Sequence, residues 1–400
     1  MKVVIIGQGY VGLNLAVMAS KNHNVFGLDV NVALVDRLNA GISHVEGISN
    51  EDLDQARKQG YLATHSPQVL TDAELIVIAV PTPLDGNRKP DMSFLESACR
   101  MIGTECVKSA LVINESTSYP GTVRDYIKPR IESFQRNSIE HLYGVAPERV
   151  DPGNLKWNLV NTPRLISGLT VDATDKIRKF YSEFCNQVIE VTSPEVAEAA
   201  KLFENTFRQV NIALVNEFAQ VTNKLGISVY ETLNAANTKP YGFMRFIPSL
   251  GVGGHCIPID PSYLADTAFK LGVETKFINL ANETNLQMPE YVANRIETDL
   301  GGSLRAKKIM VLGVAYKANV ADTRESPSEL LISALKGRGA EVIWHDPVVK
   351  EWKGEMSAPL QQVNGVVIAQ AHEIFLELEL SDYSDYVFDC TGRIETRFSL

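Results

Sequence analysis

Two groups of residues have types and spacing that suit chemistry better than packing. The first is Gly7, Gly9 and Gly12 in the run GQGYVG, followed about twenty residues later by Asp29. Glycines at this spacing allow a tight turn, close approach of a pyrophosphate to the backbone and close helix–strand packing, with a helix N-terminus facing the negative charge. An acid at the end of the next strand accepts hydrogen bonds from ribose hydroxyls and repels a 2′-phosphate, so the pattern favours NAD over NADP. The second group is the loop GVGGHCIPID, residues 251–260. One thiol, Cys256, follows a Gly-Gly pair there and stands four residues before Asp260. Its neighbours are loop formers, whereas Cys99, Cys106, Cys185 and Cys390 read as buried, inert thiols. A single thiol in such a loop suits covalent catalysis by thiolate attack on a carbonyl carbon. Asp260 reads equally well as a cap for the helix PSYLADTAFKLG. His255 reads as a loop or substrate contact.

These residues need elements to position them. KVVIIG, residues 2–7, is a β-branched run of the kind buried in a parallel sheet, LNLAVMASKN is compatible with a helix, and NVFGLDV is a second strand ending at Asp29. ELIVIAV (74–80), SALVINES (109–116) and HLYGVAPE (141–148) continue the alternation. Open α/β sheets bind ligands at the carboxyl ends of their strands, where Thr82, Thr117 and Glu148 fall. The plainer reading of the threonines is turn or N-cap chemistry. For Glu148 it is a surface acid paired to Arg149 or Arg164.

From Ser193 to Gly226 the chain runs without a breaker for about 30 residues, or ~45 Å of helix. Phe203, Phe207, Val210 and Leu214 share one side of it, and Lys201, Asn205 and Arg208 the other. Periodicity alone reads the polar side as a solvated face. The alternative is that Lys201 and Asn205, at i and i+4, aim two donors at one site. Helical sequence continues to about residue 300. KKIMVLGVAY (307–316), SPSELLISALKGRG, AEVIWHDP and YVFDC (386–390) then form a second α/β alternation without GxGxxG. Lys317 and Arg324, in KANVADTRESPS, suit phosphate or carboxylate contacts. The expected fold class is α/β: two Rossmann-like domains with parallel sheets, joined by a long central helix and a helical middle region. The expected boundaries are 1–192, 193–304 and 305–400.

The totals narrow the function classes. The 400 residues are 45% hydrophobic and 22% charged, which is ordinary for a globular chain, and the net charge of -10 argues against a nucleic-acid partner. No window approaches the roughly 18 apolar residues of a membrane span. Met1-Lys2 leads straight into a strand rather than a signal peptide, so a cytoplasmic location with reduced thiols is expected. The five cysteines show neither CxxC nor Cys/His metal spacing, and no metal is expected.

Together GQGYVGL, AVPTP, NESTSYPGT, APERVDPGN, KLFENTFRQVN, GVGGHCIPIDP and GVAYKANVADTRESPS, in this order, resemble the UDP-glucose/GDP-mannose dehydrogenase family over nearly the whole chain. The resemblance implies oxidation of a sugar C6 alcohol to a carboxylate with two NAD and one water, through a thiohemiacetal and a thioester on the cysteine. It implies Cys256 as nucleophile and Lys201 and Asn205 as oxyanion and acid/base groups. Asp260 would position a water or tune Lys201, and Thr117 and Glu148 would serve thioester hydrolysis. The implied NAD-binding set is Gly7, Gly9, Tyr10, Val11, Gly12, Asp29, Pro81, Thr82, Thr117 and Arg324. The implied substrate set is Glu148, Arg149, Lys201, Asn205, Arg245, Gly253 and Lys317, with the C-terminal domain taking the UDP. A homodimer or higher homo-oligomer centred on the long helix is implied.

GGHCIPIDPSYL and APERVDPGN resemble the branch acting on UDP-N-acetylhexosamines for surface polysaccharide, UDP-N-acetylglucosamine or an epimer. UDP-glucose is the alternative substrate. IPSLGVGG departs from the PGPGLGG-like run common in that branch, and DCTGRIETRFSL departs from the usual end, so Arg393 receives no role. Two other classes share a Rossmann half. A two-electron β-hydroxyacid dehydrogenase needs no loop thiol, and a non-catalytic nucleotide sensor leaves Lys201, Asn205, Cys256 and Asp260 unexplained.

Overall fold

The computed structural model describes every residue except Glu46, Asn87, Pro152, Leu155 and His255. The chain forms two compact units, residues 1–204 with 262–271, and residues 205–261 with 272–400.

The first unit is built on an eight-stranded sheet in the order β3-β2-β1-β4-β5-β6-β7-β8. Its strands are β1 (Lys2–Ile6), β2 (Asn24–Leu28), β3 (Tyr61–Thr64), β4 (Leu75–Ile78), β5 (Leu111–Asn114), β6 (Leu142–Val145), β7 (Arg164–Gly168) and β8 (Val188–Glu190). Helices α1 (Tyr10–Ala19), α2 (Val32–Asn39), α3 (Asn50–Lys58), α4 (Ser93–Glu105), α5 (Lys128–Phe134) and α6 (Val171–Tyr181) connect them. The central strands are short apolar runs buried on both faces, as parallel strands covered by helices must be. Two apolar clusters result. One gathers Val3, Ile5, Leu13 and Phe180, and the other Val4, Ile6, Ile102 and Ile131.

The sheet is not wholly parallel. β7 runs antiparallel to β6, pairing Gly144 with Gly168 and Val145 with Ser167. A parallel return needs a crossover, usually helical. The described residues between Val145 and Arg164 contain no helix, so the chain doubles back instead. Neither β7 nor β8 was expected from the sequence.

Helix α7 (Pro194–Leu225) follows, 32 residues long and ended by Gly226 at φ +71°. Its apolar and polar sides are not arranged as periodicity suggests: Phe203 and Leu214 are 65% and 61% exposed, whereas Lys201 is 7% exposed. The solvated-face reading of Lys201 is therefore corrected. Lys201 turns inward because buried partners wait for it, described below, whereas Arg208 on the same side stays exposed.

The second unit contains α8 (Val229–Ala236), and α10 (Lys276–Asp299) follows the short helix α9 (Asp260–Lys270), which spans the boundary of the two units. A five-stranded parallel sheet then forms from β9 (Lys308–Leu312), β10 (Glu341–His345), β13 (Gly365–Ile368), β14 (Val387–Asp389) and β15 (Phe398–Ser399), in the order β10-β9-β13-β14-β15. Helix α11 (Ser328–Gly337) links β9 to β10, and a small hairpin of β11 (Glu351–Trp352) and β12 (Glu355–Met356) precedes β13. Both units are therefore α/β with Rossmann-like sheets. Among the described residues no helix is long and apolar enough to cross a membrane.

The first turn of α1 is set by steric necessity. A Cβ on Gly7 would lie 2.5 Å from the Ala79 carbonyl oxygen, and one on Gly12 would strike the Gly7 carbonyl. Gly12→Ala is therefore expected to lower folding stability by about 1–3 kcal/mol, the usual size of an overpacking defect. Urea unfolding followed by circular dichroism measures it, and an unchanged midpoint would refute the packing role.

Candidate active site

At the carboxyl edge of β1, the glycine turn is held by groups that sequence reasoning missed. Gln8 is fully buried, and its amide donates to the Ile5 and Gly7 carbonyls at 2.9 and 3.0 Å while its oxygen accepts from the Tyr61 hydroxyl at 2.8 Å. Asp29 lies immediately beyond β2. Its carboxylate accepts the Gln8 and Asn31 backbone N–H groups at 2.8 and 2.9 Å, which points it at the turn. No atom lies within 4 Å of where a Cβ on Gly9 would be. That opening fits close approach of a pyrophosphate, and the fixed acid fits a ribose, so these residues suit NAD. Tyr10 and Val11 are half-buried in the first turn of α1. Thr82 and Thr117 are buried just past β4 and β5, whereas Pro81 is exposed.

Beyond β5 and β6 the same unit buries a compact charge cluster. Glu148 is 6% exposed, so it is not the surface acid that was one reading of it. Its Oε1 accepts the Arg149 and Val150 N–H groups, both at 2.7 Å, and its Oε2 accepts from Arg164 Nη2 at 2.5 Å. Burial pushes its carboxyl up, but Arg164, the Val150 amide and Lys201 together hold it below the ordinary carboxylate range. Arg149 points elsewhere, making a two-pronged pair with Glu204 and donating to the Pro163 carbonyl at 3.1 Å. One turn before Lys201 on α7, the buried Glu198 accepts the Gly121 and Val123 N–H groups at 2.6 and 3.1 Å. It pins α7 to the loop that follows Thr117. Burial pushes its carboxyl up to about 8 against the pull of those amides.

In the second unit, Cys256 is half-buried while the other four cysteines are buried. Burial pushes the thiols of Cys99 and Cys185 up, to about 12 and about 11, which keeps them inert. The Cys256 carbonyl accepts the Ile259 and Asp260 N–H groups at 3.1 and 2.8 Å, so the cysteine forms the first turn leading into α9. Asp260 is 1% exposed, and its Oδ2 accepts from Asn205 Nδ2 at 2.6 Å. Gly254 has φ +86°, and a Cβ there would lie 2.7 Å from the Tyr316 ring. A Cβ on Gly253 would meet Tyr316 at the same distance. The Gly254 N–H donates to the Arg324 carbonyl at 3.0 Å. The cysteine loop thus lies flat on the segment 316–327 that carries Lys317 and Arg324. The Arg324 guanidinium bonds Asp322, with Nε 3.0 Å from both carboxylate oxygens. Arg245 is half-buried, with its Nε unpartnered among the described residues. His255 lies outside the described residues. Among those described, no group of three His, Cys, Asp or Glu side chains could hold a metal ion.

The chain is an NAD-dependent nucleotide-sugar dehydrogenase, the class to which its matching family domains assign it. The chain belongs to the UDP-glucose/GDP-mannose dehydrogenase family: residues 1–185 match its NAD binding domain, 195–287 its central domain and 310–396 its UDP binding domain. It is 34% identical to the UDP-N-acetyl-D-mannosamine dehydrogenase of Pyrococcus horikoshii, over 94% of this chain and 90% of that one. It is 32% identical to the UDP-N-acetyl-D-glucosamine 6-dehydrogenase of Pseudomonas aeruginosa, over 94% and 91% of the two chains. The solved UDP-D-ManNAc dehydrogenase of P. horikoshii superposes with a TM-score of 0.91 at 31% identity, covering 100% of this chain and 97% of that one.

Gly254→Ala tests the loop geometry. Left-handed backbone and the Tyr316 contact together store about 1–3 kcal/mol of strain once a methyl is added, and the loop must shift. Turnover is expected to fall roughly tenfold or more, well beyond any change in the NAD dissociation constant, to which this loop contributes only through the Arg324 segment. Steady-state NADH formation and a fluorescence titration with NAD read the two quantities. Equal turnover in the variant would show that the cysteine needs no such clamp.

Proposed function

We propose that this protein oxidises the C6 alcohol of a UDP-N-acetylhexosamine to the uronic acid in two NAD-dependent steps, supplying surface polysaccharide synthesis in the cytoplasm. The observation that carries this reading is the pairing of the Cys256 loop with the Asn205–Asp260 hydrogen bond, in a chain whose curated relatives include dehydrogenases of UDP-N-acetylmannosamine and UDP-N-acetylglucosamine. When bound, NAD supplies a two-electron hydride acceptor.

In this reading Lys201 takes the C6 hydroxyl proton and steadies the oxygen, assisted by Asn205 one turn further along α7. Cys256 adds to the resulting aldehyde carbon, and the thiohemiacetal keeps it from escaping. In this reading Cys256, just before the first turn of α9, reacts as the thiolate. Loss of a second hydride gives the thioester. Thr117 holds a water, and Glu148 draws its proton as the oxygen bonds to the carbonyl carbon. The carbon–sulfur bond then breaks with its electron pair on Cys256. One alcohol, two NAD and one water become one carboxylate, two NADH and three protons. Gly7, Gly9, Gly12, Asp29, Thr82 and Arg324 hold NAD. Arg149, Arg245, Gly253 and Lys317 hold the substrate, and the residues matching the family's UDP binding domain receive its nucleotide.

The exposed apolar stripe of α7 supports a homodimer. Phe203, Phe207, Leu214 and Val221 are all more than two-fifths exposed along one helix, which is an unusual surface for a lone protomer. Leu214→Glu is expected to shift the sedimentation coefficient towards the monomer, and an unshifted value would remove α7 from the interface.

NADH formation across UDP-N-acetylglucosamine, its galacto and manno epimers and UDP-glucose tests the substrate. The highest kcat/KM is expected with an N-acetylated sugar, and a preference for UDP-glucose would overturn that choice. Cys256→Ser is expected to release one NADH per site in a burst, without acid product. Multiple turnovers to the acid would end the thioester route.

A further inference from the structure

Behind Glu148 lies a second acid that the mechanism above leaves unused. Glu115 follows β5 and is 1% exposed. Its Oε1 accepts a hydrogen bond from the Tyr181 hydroxyl and lies 3.5 Å from Arg164 Nη1. Its Oε2 is buried with no hydrogen-bond partner among the described residues. Arg164 opens β7 and is itself buried. It spans both acids, with Nη2 on Glu148 and Nη1 donating to the Ala146 carbonyl at 3.1 Å. The Tyr181 ring lies 5.2 Å from its guanidinium carbon.

The charged and titratable groups facing Glu115 are Arg164 from β7, Glu148 from the segment after β6, Tyr181 from α6, Cys185 just past α6 and Lys201 from α7. Two carboxylates thus compete for one guanidinium in a dry setting. Like charges brought together under burial separate their titrations, so that one acid is charged while the other is neutral. The orphaned Oε2 marks which is which, because an ionised oxygen left without a donor is costly. Burial, with the Glu148 charge, pushes Glu115 up to about 7 against Arg164, while Glu148 stays below the ordinary range.

We infer that Glu115 is a positioning residue for the hydrolytic half-reaction: its charge decides how much of Arg164 is left to Glu148 when water attacks the thioester. This rests on the reading of Glu148 as the base for that water. Below pH about 7 Glu115 is neutral. Arg164 then serves Glu148 alone, and Glu148 is a weak proton acceptor. As pH rises through that point Glu115 ionises. The added negative charge shares Arg164 and makes Glu148 a stronger base. Thioester hydrolysis accelerates with pH there, whereas the first hydride transfer does not use Glu148 and keeps a separate profile.

Single-turnover acid release and the first NADH burst, each measured from pH 5.5 to 8.5, test this. In the wild-type protein a rising limb near pH 7, of roughly threefold, is expected in acid release only. Glu115→Gln keeps the shape and abolishes the titration, so the limb disappears. Tyr181→Phe removes the hydroxyl that steadies ionised Glu115, so the limb moves to higher pH. Difference infrared spectra of wild type against Glu115→Gln should show a neutral carboxyl band at pH 6 that is lost by pH 8, a readout that needs no turnover. A limb that persists in Glu115→Gln, or that stays in place in Tyr181→Phe, overturns the inference while leaving the activity intact. Absence of NADH from the wild type with every UDP-sugar instead overturns the activity reading and this inference with it. Should Glu115→Gln misfold, Tyr181→Phe still decides the matter.

Discussion

The arrangement of the first unit depends on one constraint, which is that Arg164 must be neutralised where water cannot reach it. A buried guanidinium with no acid beside it is strongly destabilising. Here it is met by Glu148 at 2.5 Å and by Glu115 at 3.5 Å. Those partners stand just past the carboxyl ends of β5 and β6, and Arg164 opens β7. Three strands therefore have to reach the same depth, in the order the sheet shows. The antiparallel turn between β6 and β7 follows from the same need, because it returns the chain to place Arg164 beside the end of β6 instead of at the far edge. Lys201 extends the cluster from α7, which accounts for a lysine that is buried on a helix where Phe203 and Phe207 are exposed.

Glycines carry the second kind of constraint. The Gly7–Gly12 contact lets α1 start against β1, and Gly253–Gly254 lets the cysteine loop lie on Tyr316. In each case the backbone comes closer than any side chain would permit, and in each case a polar anchor fixes the result. For the nucleotide turn the anchor is Asp29 with the Gln8–Tyr61 pair. For the thiol loop it is the Gly254 N–H on the Arg324 carbonyl and the Asn205–Asp260 bond. A side chain on a glycine-rich loop would otherwise wander, because glycine leaves the backbone so many conformations.

What could be read from the sequence divides along the same line. GQGYVG and Asp29 were legible because their constraint is local: spacing alone states a tight turn, a close approach and an acid at the next strand end. The α/β class was legible from the alternation of short apolar runs with helical ones. The charge cluster was not. Glu115 and Tyr181 are 66 residues apart, and nothing near either one announces the other. Arg164 sits in a run that gave no strand signal because the preceding segment lacks a helix to mark a crossover. For α7, periodicity separated the two faces but misassigned the burial of Lys201 and of Phe203 and Leu214, while Arg208 is exposed as it suggests. Apolar side chains bury themselves by default, and here charged partners inside the unit compete for the polar face.

That inversion links the two themes. A helix with Lys201 and Glu198 turned inward has its inner face committed to polar bonds, to the amides of Gly121 and Val123 and to the field of Glu115 and Glu148. Ala197 and Leu202 are buried beside them, whereas Phe203 and Leu214 are left outside. The hydrophobic effect, which elsewhere in the chain builds the sheet cores, leaves these large apolar side chains of α7 uncovered within the protomer. The buried charges of the first unit, and not apolar periodicity, thus decide which way the start of α7 faces.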